Sequence, residues 1–263
     1  MHKKYFFFDI DGTLTDRQTG IIVPSAQLAL DKLQAAGHFV AIATGRAHYK
    51  AINFLHDCHL HNMVCAGGGA LLINDELIVN HPLNNQAAKN LIQEAIQQNY
   101  GILVMLDDSI DVYAKDDLFR QQVIERKEPT RYFIDKTLDY DKLDTIYKVY
   151  IAVPIGKEDT LPSLKDLGYL RFEQEYINVQ YDAKDQGIIE MMNYLNAPLE
   201  DVVVFGDDMN DLVMFDDKKV LKSFNENNLA DIFSNSFLVE IAYNENDFCN
   251  VDYVRFQNTR NEE

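Results

Sequence analysis

The chain has 263 residues, of which 47% are hydrophobic and 25% charged, a composition typical of a soluble globular protein. Its 42 acidic and 24 basic residues give a formal net charge of −18, which disfavours nucleic acid and anionic lipid as partners. The 3 cysteines form no CxxC pair, and no stretch of sequence is long and apolar enough to span a bilayer. We therefore expect a cytoplasmic protein that binds neither nucleic acid nor a membrane.

The first eighty residues alternate short apolar runs with helical segments. Tyr5 to Ile10 is predicted to be a strand buried on both faces, which ends at the turn Asp11-Gly12-Thr13. Pro24 to Ala36 is predicted to be an amphipathic helix, and Phe39 to Ala43 and Met63 to Ala66 are predicted to be further buried strands. This alternation indicates a parallel sheet that is covered by helices.

The pattern changes between Leu83 and Asp182. A helix is predicted at Asn85 to Gln98, and the strands that follow alternate apolar and polar residues, as in a sheet with one face toward solvent. These predicted strands are Ile102 to Leu106, Tyr147 to Val153, Leu170 to Glu173 and Tyr176 to Tyr181. We expect this stretch to form a separate α+β domain.

The first pattern returns near Lys184. A helix is predicted at Ile188 to Leu195, and Val202 to Phe205 is predicted to be a buried strand that ends at Gly206-Asp207-Asp208. The predicted fold class is therefore α/β, with a Rossmann-like parallel-sheet core and an inserted α+β cap. The core would comprise residues 1–82 and 183–263, and the cap residues 83–182.

Small polar residues follow three of the predicted core strands. Asp9 and Asp11 end the first strand, Thr44 ends the second, and Asp207 ends the last. Ligands of open parallel α/β sheets bind at the carboxyl ends of the strands, so we expect these side chains to converge. Carboxylates gathered in this way are usually held by a hard divalent cation, and the small number of protein ligands favours Mg²⁺, which keeps some of its waters.

Lys184 is predicted to begin the helix that follows the inserted domain. A lysine at a helix N-terminus adds positive charge where the backbone already favours anions. Carboxylates, Mg²⁺, a hydroxyl group and this lysine around one point indicate a site for phosphoryl transfer.

Four motifs in chain order resemble those of the haloacid dehalogenase superfamily of phosphatases, and within it the Cof-type subfamily with the larger cap. The motifs are Asp9-Ile10-Asp11-Gly12-Thr13, Ile42-Ala43-Thr44-Gly45-Arg46, Lys184 to Ile188, and Gly206-Asp207-Asp208-Met209-Asn210-Asp211. The resemblance covers nearly the whole chain. The first and fourth motifs together, each after a buried strand, are highly specific.

The resemblance implies a hydrolase that acts on small phosphorylated metabolites with Mg²⁺ as its cofactor. Asp9 would be the nucleophile that forms an aspartyl-phosphate, and Asp11 would be the general acid and base. The phosphate would be bound by Thr44, Gly45, Arg46, Lys184 and Asn210. The implied metal ligands are Asp9, Asp11, Asp207 and Asp211.

Two departures from the family pattern bear on the substrate. Gly67-Gly68-Gly69-Ala70 stands where the family often has Asn-Gly-Ala, and Ser223 to Asn227 stands where it commonly has a Gly-Asn loop. We interpret the glycine run as a hinge or tight turn, because it lacks the Lys-Ser/Thr of a P-loop. The run His56 to His61 contains three histidines and a cysteine, but its spacing fits no common zinc pattern.

Three functions are compatible with these motifs: a phosphomonoester hydrolase, a phosphomutase on the same scaffold, and a phosphate-ligand sensor of weak activity. The resemblance suggests sugar phosphates as substrates, with nucleotide or cofactor phosphates as alternatives. Four cations of the predicted cap are candidates for contact with an anionic substrate: Lys115, Arg120, Arg131 and Lys148. The oligomeric state stays open.

Overall fold

The structure is a computed structural model that describes residues 2–16, 18–123, 126, 129–171, 173–206, 211, 213–214, 237–243 and 251–258. The chain divides into two compact units. The first unit comprises Met1–Val79 and Ala183–Glu263, and the second comprises Asn80–Asp182. None of the helices in these described ranges has the length and apolarity needed to cross a membrane.

The elements of the described chain are numbered in sequence order. The strands are β1 (Tyr5–Phe8), β2 (Phe39–Ala43), β3 (Met63–Cys65), β4 (Ala70–Ile73), β5 (Glu76–Asn80), β6 (Ile102–Met105), β7 (Asp111–Ala114), β8 (Arg131–Ile134), β9 (Lys148–Ile151), β10 (Ile177–Val179), β11 (Val202–Phe205), β12 (Phe237–Tyr243) and β13 (Val251–Asn258). The helices are α1 (Pro24–Ala35), α2 (His48–Asp57), α3 (Asn85–Gln97), α4 (Leu118–Gln122), α5 (Leu164–Leu167) and α6 (Lys184–Tyr194).

The first unit is built on a six-stranded sheet in the order β11-β1-β2-β3-β4-β5. The pairs β11–β1, β1–β2 and β2–β3 are parallel, which confirms the predicted α/β class. Strand β4 pairs antiparallel with β3, and the sequence analysis did not predict this strand. Strands β12 and β13 form a separate antiparallel pair in the same unit.

Helices cover both faces of this sheet because its central strands are apolar on both sides. Phe6 and Phe8 of β1 belong to a buried cluster with Leu30 of α1, and Phe7 belongs to a second cluster with Met191 of α6. Successive side chains of a strand point to opposite faces, so three phenylalanines in a row serve both layers. The run of Phe6, Phe7 and Phe8 is therefore core, at 0% exposure for each residue.

The second unit is built on a five-stranded sheet in the order β10-β9-β6-β7-β8. All its pairs are antiparallel except β7 with β8. Helix α3 covers one face, where its Leu91 is buried in the same cluster as Val104 of β6 and Val149 of β9.

The expectation of one solvent-facing side is wrong for the centre of this sheet. Every residue of β6, β9 and β10 is buried. Helix α4 covers part of the second face: a Cβ added at Gly101 would lie 2.2 Å from the Phe119 Cα atom. Five residues are too few to show a helical period in the sequence, so this cover was not predicted. The predicted strand Leu170 to Glu173 is also wrong, since the described residues of this stretch form no strand and show one isolated bridge, between Leu170 and Asn178.

Candidate active site

Two adjacent parallel strands of the first unit place polar residues at one edge of the sheet. Asp9 directly follows β1, and its backbone N–H donates to the Phe205 carbonyl at the end of β11, at 2.9 Å. Thr44 directly follows β2, and its N–H donates to the Val64 carbonyl of β3, also at 2.9 Å. The backbone ladder therefore places Asp9 and Thr44 at the carboxyl ends of adjacent strands, where ligands of such sheets bind.

A buried cluster of opposite charges lies at this edge. The Lys184 Nζ atom is 2.7 Å from Asp9 Oδ1 and 2.5 Å from Asp211 Oδ1. Lys184 and Asp211 are each 0% exposed, and Asp9 is 6% exposed. One ammonium group thus serves two carboxylates that are far apart in the sequence. With water largely excluded, these charge-assisted hydrogen bonds hold the three side chains in a defined arrangement.

The glycine run after β3 holds the start of α6 in place. The Ala183 N–H donates to the Gly67 carbonyl at 2.7 Å. Gly68 has a φ of +99°, and a Cβ there would lie 2.1 Å from the Ala183 carbonyl oxygen. A Cβ at Gly187 would lie 2.7 Å from the Gly68 Cα atom. These close backbone approaches require glycine on both sides, and they fix the helix that begins with Lys184.

Asp11 and Arg46 form an ion pair beside the buried cluster. The Arg46 Nε atom donates to Asp11 Oδ2 at 2.9 Å, and its Nη2 atom donates to Asp11 Oδ1. The Asp11 side chain is 60% exposed, whereas that of Arg46 is 31% exposed. Gly12 supplies a φ of +95° in the turn after Asp11, and the Thr44 hydroxyl accepts a hydrogen bond from the Arg46 N–H at 3.1 Å. The paired side chain of Asp11 is therefore open to solvent, unlike that of Asp9.

Burial sets the protonation behaviour of the cluster. Loss of water raises the pKa of Asp9 to about 7, although the Lys184 ammonium acts against this change, and the Asp211 carboxylate adds to it. Burial acts to lower the pKa of Lys184, but the two carboxylates outweigh it and the net shift is upward. Lys184 is therefore an ammonium ion at neutral pH.

The donor set suits a hard divalent cation. Two carboxylates against one ammonium leave an excess of negative charge, and carboxylate oxygen is the ligand that Mg²⁺ prefers. Burial in the first place, and the Asp211 carboxylate in addition, raise the pKa of Asp9, and a bound cation would favour its ionised form. The implied ligand Asp207 and the implied phosphate-binding residue Asn210 lie outside the described residues, as does the departure at Ser223 to Asn227. Within the described residues, no three His, Cys, Asp or Glu side chains are clustered as a metal site.

The histidines between positions 56 and 61 are paired with carboxylates. The His56 Nε2 atom lies 3.0 Å from Asp75 Oδ1, and the His61 Nδ1 atom lies 2.7 Å from Asp75 Oδ2. Cys58 is buried in the core cluster of the first unit. The cysteine is therefore turned away from the two imidazoles that share Asp75.

Two contacts of the site were missed by sequence reasoning. Lys184 was expected to hold the nucleophile Asp9, but its second contact, with Asp211, was not predicted, because Asp211 was assigned to the metal and not to the lysine. The pairing of Arg46 with Asp11 was also missed, because Arg46 was assigned to the phosphate. A signal existed for the first contact: a lysine fully buried at a helix start needs more than one carboxylate acceptor for its three N–H groups.

The family of the chain follows from its match to a family model. The model of haloacid dehalogenase-like hydrolases matches residues 6–221. The chain therefore belongs to this family and is an enzyme of the hydrolase class, which confirms the resemblance found in the motifs.

Curated relatives are about one quarter identical to the chain. The putative phosphatase YkrA of Bacillus subtilis is 25% identical over 220 residues, which cover 82% of this chain and 84% of that protein. A putative bifunctional phosphatase/peptidyl-prolyl cis-trans isomerase of Streptococcus pyogenes is also 25% identical over 220 residues, but the match covers only 46% of its length.

Solved structures show the same fold. TM0651 from Thermotoga maritima superposes with a TM-score of 0.67 at 22% identity, over 81% of this chain and 83% of that one. The sugar phosphatase BT4131, of HAD subclass IIB, gives a TM-score of 0.61 at 21% identity, over 81% of this chain and 84% of that one. The predicted architecture of a Rossmann-like core is therefore shared with known members of the family.

Proposed function

We propose that this protein is a cytoplasmic Mg²⁺-dependent phosphatase that hydrolyses small phosphate monoesters, sugar phosphates in the first place. Residues 1–82 and 183–263 form the catalytic core in this proposal, and residues 83–182 form a cap. The substrate class is supported by the fold shared with the sugar phosphatase BT4131 and by the net charge of −18, which disfavours a nucleic acid as the substrate.

The contact between Lys184 and Asp9 carries this proposal. A carboxylate at the end of β1, buried and held 2.7 Å from a fixed ammonium group, is oriented before the substrate arrives. The same ammonium group can neutralise charge on the transferring phosphoryl group. A lysine bound only for structural reasons would not need to lie at the strand edge where ligands of this fold bind.

Asp9 begins the reaction. Its carboxylate oxygen attacks phosphorus, the bond between phosphorus and the ester oxygen breaks, and an aspartyl-phosphate forms. Thr44 and Lys184 hold the phosphoryl oxygens through their hydroxyl and ammonium groups. Water then attacks the phosphorus, the bond to the Asp9 oxygen breaks, and inorganic phosphate leaves with the original carboxylate restored.

Asp11 moves the protons. It donates one to the leaving ester oxygen and takes one from the attacking water in the second step. Its two carboxyl oxygens accept from Arg46 in the structure, and a carboxyl group cannot keep both contacts while it presents a proton to the leaving group. The substrate phosphate offers Arg46 an alternative bidentate partner, so its arrival would release Asp11 for proton transfer.

Mg²⁺ would be held by Asp9, the Asp11 backbone carbonyl and Asp207, with Asp211 nearby, and it supplies charge neutralisation at the transferring phosphoryl group. Asp211 has a second task in this proposal, which is to keep Lys184 charged and in position. Asn210 and the Gly45 backbone are assigned to the phosphate.

A phosphate-release assay tests the proposal. The wild type should release inorganic phosphate from sugar phosphates with Mg²⁺, and Asp9→Asn should abolish turnover while the far-UV spectrum stays that of a folded protein. Asp11→Asn should slow sugar phosphates by about 10²–10⁴-fold but an activated aryl phosphate far less, because only the basic leaving group needs a proton. Isomerised substrate without free phosphate would identify a mutase, and binding without turnover would identify a sensor.

A further inference from the structure

Strand β8 forms one edge of the sheet in the second unit. The sheet order ends with β8, and its single neighbour among the described strands is β7, to which it is parallel. The Arg131 N–H donates to the Ile110 carbonyl, and the Asp135 N–H donates to the Ala114 carbonyl, both at 2.9 Å. An edge strand presents main-chain groups that can pair with another chain, so natural proteins usually shorten, cover or charge such edges.

The main-chain groups of β8 point alternately toward β7 and away from it. Arg131 and Asp135 bond to β7, so Phe133, midway between them, also faces β7. Tyr132 and Ile134 therefore direct their N–H and C=O groups outward. No strand within the described part of the chain pairs with these two residues on that side. Each of them offers one donor and one acceptor to a further strand.

Two large apolar side chains of β8 are exposed. Phe133 is 40% exposed and Ile134 is 41% exposed. Consecutive side chains of a strand point to opposite faces, so one packed helix would not cover both, whereas a strand added at the edge contacts both faces. The Phe133 ring stacks on that of Tyr113, with the ring centres 5.1 Å apart. The edge is therefore apolar on both sides of its main chain.

The sequence of β8 is self-complementary in one antiparallel register. Outward-facing residues must lie opposite each other, because such a pair exchanges both of its main-chain hydrogen bonds. The register centred on Phe133 places Tyr132 opposite Ile134 of the second copy, and Ile134 opposite Tyr132 of that copy. Both outward-facing residues then have partners within the strand, whereas a register centred on Tyr132 or on Ile134 pairs only one of them in this way.

The same register also matches the charges of the strand. Arg131 lies opposite Asp135 of the second copy, so opposite charges meet twice across the two-fold axis. The Arg131 guanidinium donates to Asp111 through Nε and Nη2 at 2.7 Å each, and its Nη1 group can donate to a second carboxylate. Phe133 lies opposite its own copy at the axis, which extends the ring stack from Tyr113. The neighbouring registers place Arg131 or Asp135 opposite a phenylalanine ring and lack the ion pairs.

We propose that β8 is a self-association surface, on which β8 of a second copy of this chain adds antiparallel about a two-fold axis at Phe133. The interface is isologous, as in most homodimers, and the two five-stranded sheets join into one. An unrelated strand would share the main-chain bonds but not the ion pairs that this sequence offers to itself. The association does not depend on the phosphatase reaction, because every residue that carries it lies in the second unit.

Cysteine cross-linking tests the register. Phe133→Cys and Ile134→Cys are matched, because the two native side chains are almost equally exposed. In the proposed register the Cα atoms at position 133 of the two copies lie about 4.5 Å apart, whereas those at position 134 lie about 8–9 Å apart. A disulfide does not span the longer distance, so with diamide as oxidant Phe133→Cys should form a linked dimer about ten-fold faster than Ile134→Cys, or more.

Two further samples complete the cross-linking experiment. A mixture of Tyr132→Cys and Ile134→Cys should form a linked dimer, because these positions lie opposite each other at about 5.5 Å in the proposed register. The wild type, in which Cys58 and Cys65 are buried, is the control for native thiols and should stay unlinked.

Sedimentation velocity over a concentration series tests the association itself. The wild type should show a monomer–dimer equilibrium, and Ile134→Pro should weaken it by about ten-fold or more, because proline removes an outward N–H from each copy. The same change leaves the ladder with β7 intact, since the Ile134 N–H takes no part in it, so the far-UV spectrum should stay that of a folded protein.

A charge variant and its matched control use the same measurement. Asp135→Lys should weaken the dimer, because a lysine would then face Arg131 of the second copy. Asp166→Lys changes the net charge equally, but this exposed residue lies on α5, so its association should equal that of the wild type.

Three results would each overturn the proposal. The first is a wild type that sediments as a monomer at every concentration. The second is equal cross-linking of Phe133→Cys and Ile134→Cys, and the third is a dimer that Ile134→Pro and Asp135→Lys leave unchanged, because the copies would then meet at another surface. If Ile134→Pro does not fold, the cysteine pair and Asp135→Lys decide the matter.

Discussion

Asp9 occupies an environment that opposes its charge. Its carboxyl is buried next to a second carboxylate, and the single ammonium group of Lys184 is shared between the two. The pKa of about 7 means that folding of the metal-free protein disfavours the ionised form, which is the form that attacks phosphorus in the proposed mechanism. In the proposed mechanism the nucleophile is therefore placed at a cost in stability, and a bound cation would restore the reactive form at neutral pH.

This environment predicts a pH-dependent stability of Asp9→Asn in the presence of a chelator. Below pH 3.8 the aspartate is neutral in both folded and unfolded chains, so the variant and the wild type should have similar stability. As the pH rises from there to about 7, the unfolded wild type gains by ionising and the folded one does not. The variant should thus become the more stable protein, by on the order of a few kcal/mol at neutral pH.

Thermal unfolding across this pH range, with chelator, measures the difference. Added Mg²⁺ should stabilise the wild type and reduce the advantage of the variant. A difference in melting temperature that does not change with pH would contradict the burial of an ionisable Asp9 described here.

The residues of the site were more predictable than their partners. Asp9, Thr44 and Lys184 could be singled out because each follows a buried strand or begins a helix in a recognisable motif. The bridge from Lys184 to Asp211 could not, because the motif fixes sequence spacing but not which atoms meet. The contact of Arg46 with Asp11 was not predicted for the same reason, since an arginine near a phosphate site can pair either with the phosphate or with a carboxylate.

At the scale of elements, the start of α6 is positioned by glycine contacts with the loop after β3. A methyl group at Gly187 would lie 2.6 Å from the Val64 Cγ1 atom and 2.7 Å from the Gly68 backbone. Gly187→Ala should therefore push α6 away from the sheet, with a loss of about 1–3 kcal/mol in unfolding free energy. Because Lys184 moves with the helix, kcat should fall more than KM rises.

Gly37→Ala is the matched control for this prediction. Gly37 has a positive φ, +82°, and nothing lies within 4 Å of the added Cβ, so the substitution there adds backbone strain without a clash. It should lose about 1 kcal/mol through backbone strain and keep the kcat of the wild type. Chemical denaturation and steady-state kinetics on both variants give the comparison, and an unchanged kcat in Gly187→Ala would show that the helix start does not position Lys184.

Elements with strong periodicity were predicted, and short or crowded ones were not. The core strands β1, β2 and β11 were predicted because each is an apolar run that ends at turn residues. Strands β4 and β5, at one end of the sheet order, and the five-residue helix α4 were not predicted, and they form because neighbouring elements are already in place. The prediction that one face of the second sheet is exposed to solvent was wrong for the same reason, because helix α4 covers part of that face.

At the scale of the whole molecule, the net charge of −18 makes the protein sensitive to cations. In the proposed site Mg²⁺ would bind the assembled carboxylates and hardly bind the unfolded chain, so it should stabilise the protein by about 2.7 kcal/mol at 100 times its dissociation constant. For a chain of this length the melting temperature should rise by a few degrees or more.

Asp207→Asn tests the ligand that the sequence predicts. It should leave the metal-free melting temperature unchanged or raise it, because one repelling charge is removed, and it should reduce the rise caused by Mg²⁺. Activity should vanish with a chelator and return with Mg²⁺ but not with Ca²⁺, whose looser coordination suits in-line transfer poorly. An identical response to Mg²⁺ in both proteins would remove Asp207 from the metal site.

The covalent role of Asp9 is the central claim, and mass spectrometry of the acid-quenched enzyme tests it most directly. Asp11→Asn is the protein to use, with an activated aryl phosphate: the first step needs no acid with this leaving group, and the second step lacks its base, so the intermediate should accumulate. The account predicts the added mass of one phosphoryl group on the peptide that contains Asp9. Rapid release of phosphate while that peptide stays unmodified throughout the time course would contradict it.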